Sequence, residues 1–445
     1  MREYFEFINK EMKQSKRLIL FVILLLTVVN FIISDFQYRN YTDYDYNHIN
    51  NSPGIDYESV LKSNKLILQS DSKDMLNKDL VKSIKFQNRM YPKAIKYLED
   101  RDYHNLNKIE TIIFIHEMYT QLIAEKKNEY RNYAKDIVKD LGYEREMDLV
   151  LPKNLRIGEK NNLGYAKIAT DYKYRIYKND VVSINYKNRG TIPFLEFLFN
   201  NVFAILALIL TLVFAAKSII EDQSQGILKI LFHSKINRRK YYVLKLISNF
   251  LKIVICISIS VLIVFLLTGI RSRFNRMDTP VLISSNYMNS FFNKSIDYEY
   301  QIKKFGSSYL GIVQTDFGLD GIVKTINPKD FTFIRYGKYI SLEVIYLLIT
   351  ILIILSIVQL ISSLAKDAIT SSIFSSFLVI GIVIISQLIY KFYGCYYIII
   401  GQLKLARVFT GGNTTSFLYF LLVSFIFILV VNVYGTIKYD KKDIG

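Results

Sequence analysis

The chain has 445 residues, 51% hydrophobic and 14% aromatic, with no Trp and only 6 Pro. Its mean hydropathy of +0.20 exceeds what a soluble domain of this size needs, so an ordinary soluble class is set aside in favour of a membrane class. A formal charge of +18 points to an anionic partner, and nucleic acid, phospholipid headgroups and loops held at a membrane surface stay open until the charge is located.

In chain order, residues 1–17 read as an amphipathic interfacial helix. Tyr4, Phe5, Ile8 and Met12 fall along one side and Arg2, Glu6, Lys10 and Lys13 point elsewhere, which suits a segment in the headgroup layer; the other reading is a solvated leader. A first span covers 18–34 (LILFVILLLTVVNFIIS). No small-residue cleavage site follows it and a long leader precedes it, so it reads as a retained anchor.

Residues 35–190 are long enough for a small domain, and the pattern predicts a helix-rich one of mixed type. A helix is expected over 79–99, ending near Glu99, and another over Thr111–Ile123 (TIIFIHEMYTQLI), continued in polar register by EKKNEYRNYAKDIVKD. The run YAKIATDYKYRIYK (165–178) leans toward a strand or hairpin. Further spans are expected over 192–216, 241–270, 339–364, 368–391 and 416–436, each near the roughly 17 to 25 apolar residues a bilayer core requires. They leave a connection at 217–240, an insert at 271–338, a short segment at 392–413 and a tail at 437–445.

Lys and Arg near the helix ends set the orientation. They gather in the N-terminal segment, in the tail (Lys438, Lys441, Lys442), and most densely from 217 to 252, where eight stand against two Asp and Glu. Six spans place these regions on one side, the cytoplasmic one. The expected fold is therefore an α-helical polytopic membrane protein with six transmembrane helices and both termini cytoplasmic. Its large extracellular domain (35–190) and its extracellular insert (271–338) are mixed in charge. Two cysteines, Cys256 within the third span and Cys395 beyond the fifth, do not make a disulfide framework, and an exported region without Cys fits a bacterial surface.

Catalytic motifs are mostly missing. No G-x-x-x-x-G-K-[ST] phosphate loop occurs, and TGGNTTS at 410–416 lacks the Lys that would reach a phosphate, so ATP hydrolysis by that route is excluded. HEMYT at 116–120 begins like a zinc-protease helix but carries Thr120 where the second His belongs; His116 is expected to face solvent, and no metal site is expected. Polar residues in the spans are candidates for a pathway or for helix packing: Asn30, Asn200, Asn201, Gln359 and Gln387 inside, and Glu196 and Glu343 at the outer starts of the second and fourth, near enough to the surface to be hydrated.

The connection EDQSQGILKILFHSKINRRKYYVLK (221–245) has an apolar face at Ile227, Leu228, Ile230 and Leu231, followed by a basic helix start, so it can rest on lipid or dock in a groove of a soluble partner. It resembles the loop between the second and third membrane helices of type-2 ABC (ATP-binding cassette) permeases. That pattern runs from Glu to Gly-Thr-Leu, through a Leu-rich turn to Pro-x-Ser-Arg, and then to a Gly-Lys entering the next helix. Glu221, Gly226, Leu228, Leu231, Arg238 and Lys245 stand at matching positions, whereas Ile227, Lys235, Asn237 and Leu244 depart from it. LSIVQLISSLAKDAITSSIFSSFLVIGIVI (355–384) is similar to the fourth-to-fifth hairpin of such permeases, and FYGCYYIIIGQLKLARVF (392–409) to their short re-entrant outer segment. The insert 271–338 departs from the usual tight connection.

The resemblance implies a permease subunit of a bacterial cell-membrane exporter with no cofactor of its own. ATP and Mg would sit on a separate ATP-binding subunit, gripped through Glu221, Gly226, Ile227, Leu228, Leu231, Arg238 and Lys245. It further implies pairing with a second permease copy or a related permease, contact with membrane lipids and none with nucleic acid. The cargo class it favours is amphipathic or hydrophobic: an antimicrobial peptide, toxin, lipid or drug. A membrane-anchored sensor or assembly factor with an extracellular ligand-binding domain is the alternative.

Overall fold

The computed structural model describes residues 2–40, 57–69, 78–152, 163–181, 190–225, 237–291, 329, 331–389 and 416–441. Helices α1 (Arg2–Gln14) and α2 (Lys16–Asn40) follow each other almost without a break, the Ile19 amide donating to the Ser15 carbonyl at 2.9 Å across the junction. Six helices then form a domain: α3 (Tyr57–Gln69), α4 (Lys78–Glu99), α5 (Tyr103–Gln121), α6 (Ala124–Asp140), the single turn α7 (Met147–Val150) and α8 (Leu163–Asn179). Helix α4 matches the expected 79–99. Helix α5 starts at an N-cap, Asp102, whose side chain accepts the Asn105 amide at 3.1 Å.

Two expectations of secondary structure fail in this domain. The run 165–178 is helical rather than a strand, because its buried residues Ala166, Ala169, Tyr172 and Ile176 recur at three and four residues and face α5, a spacing that outweighs the aromatic content. Nor does EKKNEYRNYAKDIVKD continue α5: Leu122 and Ile123 are extended, and α6 is a separate helix starting at Ala124. Helix α5 is the axis of the domain, buried on all sides from Ile109 to Thr120.

The rest of the chain is a bundle. Helix α9 (Thr191–Phe197) passes through a π-helical turn (Leu198–Val202) into α10 (Phe203–Ala215). The short α11 (Ser218–Ser224) follows, then α12 (Arg238–Arg271), strands β1 (Pro280–Ser284) and β2 (Phe331–Arg335), α13 (Tyr336–Leu364), α14 (Ala368–Ile389) and α15 (Phe417–Asp440). Helices α2 and α12 run parallel, with Asn30 bonded to Ser260 at 3.4 Å and Ser34 to Thr268 at 2.7 Å. Each of the other long helices reverses its predecessor. Helix α9 begins where α12 ends (Thr191 amide to Arg273 carbonyl, 3.2 Å), α13 begins beside Thr279 and finishes where Gln359 donates to the Tyr242 carbonyl at 2.8 Å, and α15 ends against the start of α12. The end holding α1 and α11 is called basal here, and the end holding α3–α8 distal.

Gly190 opens α9 with φ +140°, and a Cβ there would lie 2.2 Å from the Asn275 amide oxygen, which instead accepts the Ile192 amide at 3.0 Å. The antiparallel pair β1–β2 comes from the insert and packs on α8, so Val281, Leu282 and Ile283 join one core with Ile112, Tyr172, Tyr339 and Phe420.

Among the described residues, four helical stretches are long and apolar enough to cross a membrane: Lys16–Phe36, Arg238–Arg271, Tyr336–Leu364 and Phe417–Asp440. They overrun the expected 18–34, 241–270, 339–364 and 416–436 by a few residues. The other two expected spans correspond to the broken pair α9–α10 and to α14. Large apolar side chains stay exposed along these helices, among them Phe21, Leu24, Phe374, Phe377, Phe425 and Ile426, which water would penalise and lipid would not.

Candidate coupling site

The basal end is built from four elements that are distant in the chain. Helix α12 enters through an N-cap, Asn237, whose side chain accepts the Lys240 amide at 2.9 Å. From its first turns Tyr241, Lys245 and Lys252 point inward, the two lysines seven residues apart and so on one face. Both are buried, at 3% and 4% exposure. Lys245 Nζ lies 3.0 Å from Glu11 Oε1 of α1 and 2.6 Å from Asp222 Oδ2 of α11, while Lys252 Nζ lies 2.9 Å from Glu11 Oε2. Tyr241 donates its hydroxyl to Asp222 as well. Two carboxylates thus meet two ammonium groups, which is how charges survive away from water. Burial pushes the Glu11 carboxyl toward its neutral form, but Lys245 and Lys252 outweigh that and hold it below the usual carboxylate range.

An apolar layer backs the ions. Phe7, Ile219, Tyr241, Tyr242, Leu244 and Tyr439 pack together; Phe7 meets Tyr241 edge-on at 6.0 Å, and Tyr241 stacks with Tyr439 at 6.0 Å. Helix α1 turns Phe7 and Glu11 onto protein, while Ile8 and Met12 of its expected apolar face are half-buried. Helix α15 closes the base: the Arg238 guanidinium donates to the Asp440 carbonyl at 3.2 Å and Arg239 to the Asp440 carboxylate at 2.9 Å, cations at a helix C-terminus.

Of the residues expected to grip a partner, Glu221 pairs with Lys217 at 2.9 Å on the surface, Arg238 is half-buried on α15, and Lys245 is turned inward. Gly226, Ile227, Leu228 and Leu231 lie outside the described residues. Sequence reasoning missed Glu11, Asp222, Tyr241 and Lys252. The signal was present in Lys245 and Lys252, a same-face pair at the start of an apolar helix that calls for buried anions.

Among the span polars, Asn30 and Gln359 join helices through the bonds given above. Asn200 and Asn201 fall in the π-helical turn and Gln387 in α14; their side chains lie outside the described residues. Glu196 and Glu343 were expected to be hydrated. Both are buried instead, Glu343 at 0% exposure, because the domain and hairpin cover the distal ends of α9 and α13; they lie within electrostatic reach of each other, Tyr336 and Tyr339. His116 also departs from expectation. It is enclosed by the domain, stacked on Phe86 at 4.0 Å, with Nδ1 donating to the Val150 carbonyl at 2.9 Å, so that Nε2 accepts from Ser83 at 2.8 Å. Among the described residues no group of three or more His, Cys, Asp or Glu is placed to hold a metal ion.

Apolar helices with lipid-suited surfaces, laced at one end by buried ions, define a helical membrane protein. The chain belongs to the ABC-2 family of transporter proteins, whose model matches residues 7–406, nearly its whole length. No curated protein and no solved structure matches it. Membership makes it an ABC transporter permease, a membrane subunit of a kind generally without its own ATPase, and implies partnership with an ATP-binding subunit.

Proposed function

We propose that the chain is the permease subunit of an ATP-driven exporter, with six spans and both termini cytoplasmic. In this reading it moves an amphipathic or hydrophobic cargo (an antimicrobial peptide, toxin, lipid or drug) out of a bacterial cell as a homodimer or a heterodimer with a related permease. Residues 35–190 and 271–338 face outward. ATP and Mg are held by the separate ATPase, and the 217–240 connection is what that subunit grips.

The observation that carries this reading is the anchoring of that connection on both sides. Before residues 226–236, Asp222 is tied to Lys245; after them, Asn237 caps α12 and Arg238 is bonded to α15. A push on residues 226–236 is thereby delivered to α10 and α12 together. ATP shifts the balance between inward-open and outward-open bundles only through contacts that differ between the two states, and the flanks tied at Asp222 and Asn237 are where such a difference would enter the bundle.

The test is Leu228→Asp with Leu231→Asp. The expected result is loss of the ATPase from the complex purified out of native membranes, with membrane insertion unchanged. Unchanged association refutes the docking assignment, and a kinase or protease recovered in place of an ATPase supports the sensor reading.

A further inference from the structure

The Glu11 carboxylate divides its two oxygens between two buried lysines, and this gives α1 a role that its amphipathic sequence does not suggest. Among the described residues, Lys252 has its ion pair with Glu11, whereas Lys245 shares its ammonium between Glu11 and Asp222. Asp222 lies within the connection that the ATPase is proposed to grip, four residues before Gly226. A short chain of charge contacts therefore runs from that connection through Asp222 and Lys245 to Glu11, and on to Lys252 two helical turns further along α12. Phe7, one turn before Glu11, is wedged against Tyr241 in the same layer as Ile219 of α11 and Tyr439 of α15. The outward side of α1, with Glu6, Asn9, Lys10, Lys13 and Gln14, is exposed and polar.

We propose that Glu11 is a positioning residue for energy coupling, locking α1 to α11 and the base of α12 so that the three move as one lever. The inference rests on the coupling reading above and adds to it that the connection alone is not the lever. Without the Glu11 charge, two ammonium groups face one remaining carboxylate. Helix α1 then keeps only its apolar contact, and a displacement of 226–236 is absorbed by slippage at Asp222 rather than passed up α12. A neutral glutamine retains the shape and loses the charge, while aspartate retains the charge on a shorter stem.

The experiment uses the whole complex purified with its ATPase and placed in nanodiscs. Hydrogen exchange along α12 is compared between the nucleotide-free state and the state trapped with ATP and vanadate. In the wild type trapping alters exchange in α12. In Glu11→Gln, with the ATPase still bound and hydrolysing ATP, the response is expected to fall by about fivefold or more, and Glu11→Asp to recover most of it. A full trapped response in Glu11→Gln overturns the proposal.

Should Glu11→Gln fail to assemble, spin labels at Lys13→Cys and Lys240→Cys, with Cys256 and Cys395 replaced, decide on otherwise unaltered protein. A separation constant between the two states supports the common lever, and a change of more than about 2 Å refutes it. Failure of the reading beneath is distinguishable, because it appears in the wild type as an absent ATPase or an absent trapped response and ends both claims.

Discussion

Glu11 and Lys252 show how much a single buried charge can hold. Removing one partner of a buried pair leaves the other uncompensated, so Glu11→Ala is expected to destabilise the purified protein by roughly 3–5 kcal/mol. Glu11→Met combined with Lys252→Met should recover most of that loss, since Asp222 still neutralises Lys245 and apolar groups of similar size fill the space. Thermal unfolding in detergent measures both. His116 supplies a pH dependence in the domain. Burial pushes its imidazole down to about 4, against an ordinary value near 6.5, so the unfolded chain takes up the proton first as pH falls. Above about pH 6.5 nothing is lost. Between there and about pH 4 the domain should lose up to roughly 3 kcal/mol, and His116→Gln should flatten that part of a denaturation series. The sequence announced a half-zinc motif at this position; what it could not announce was Ser83, 33 residues upstream, or the Val150 carbonyl 34 residues downstream.

Between elements, small residues decide how closely helices approach. A Cβ on Gly435 of α15 would lie 2.3 Å from the Tyr242 hydroxyl and 2.7 Å from its ring carbon on α12. Gly435→Ala should therefore part the two helices at a cost of about 1–3 kcal/mol, and Tyr242→Phe in the same chain, which removes the nearest atom, should return part of it; unfolding midpoints of the single and double variants decide this. Hydropathy located the long helices within a few residues, because an unbroken apolar run has no other stable form in lipid. It was a poorer guide in the domain. Helix α8 is rich in Tyr and Ile and read as a strand, although the recurrence of Ala166, Ala169, Tyr172 and Ile176 carried the helical period. The face of α1 was visible too, but not its destination, since an apolar stripe looks alike whether lipid or protein covers it.

At the scale of the molecule, the hairpin of the insert and the helical domain share one core that runs on into α13 and α15. Leu282→Asp, placed at the buried centre of β1, should lower the opening free energy of α8 and β2 amides by roughly 2–5 kcal/mol while leaving the basal ends of α12 and α15 protected, as read by hydrogen exchange. Protection unchanged in α8 would show that hairpin and domain open independently. The places of the four long apolar helices were legible because they follow from local composition. Which helix meets which was not, since pairs such as Asn30–Ser260 and Ser34–Thr268 lie 230 and 234 residues apart.

The same separation has a consequence for biosynthesis. Glu11 precedes Lys245 and Lys252 by 234 and 241 residues, so α1 leaves the ribosome about 10–50 s before its second lysine exists. During that wait Tyr241, the ring that Phe7 meets, is also absent for most of the time, and the headgroup layer that the α1 sequence suits offers a shelter. On the proposed topology, capture of Glu11 by the arriving α12 then becomes a late event that requires α12 to have been inserted in the right direction, since only its first turns carry the paired lysines. An inverted α12 would present them on the far side of the bilayer, leaving α1 undocked and the error exposed to quality control.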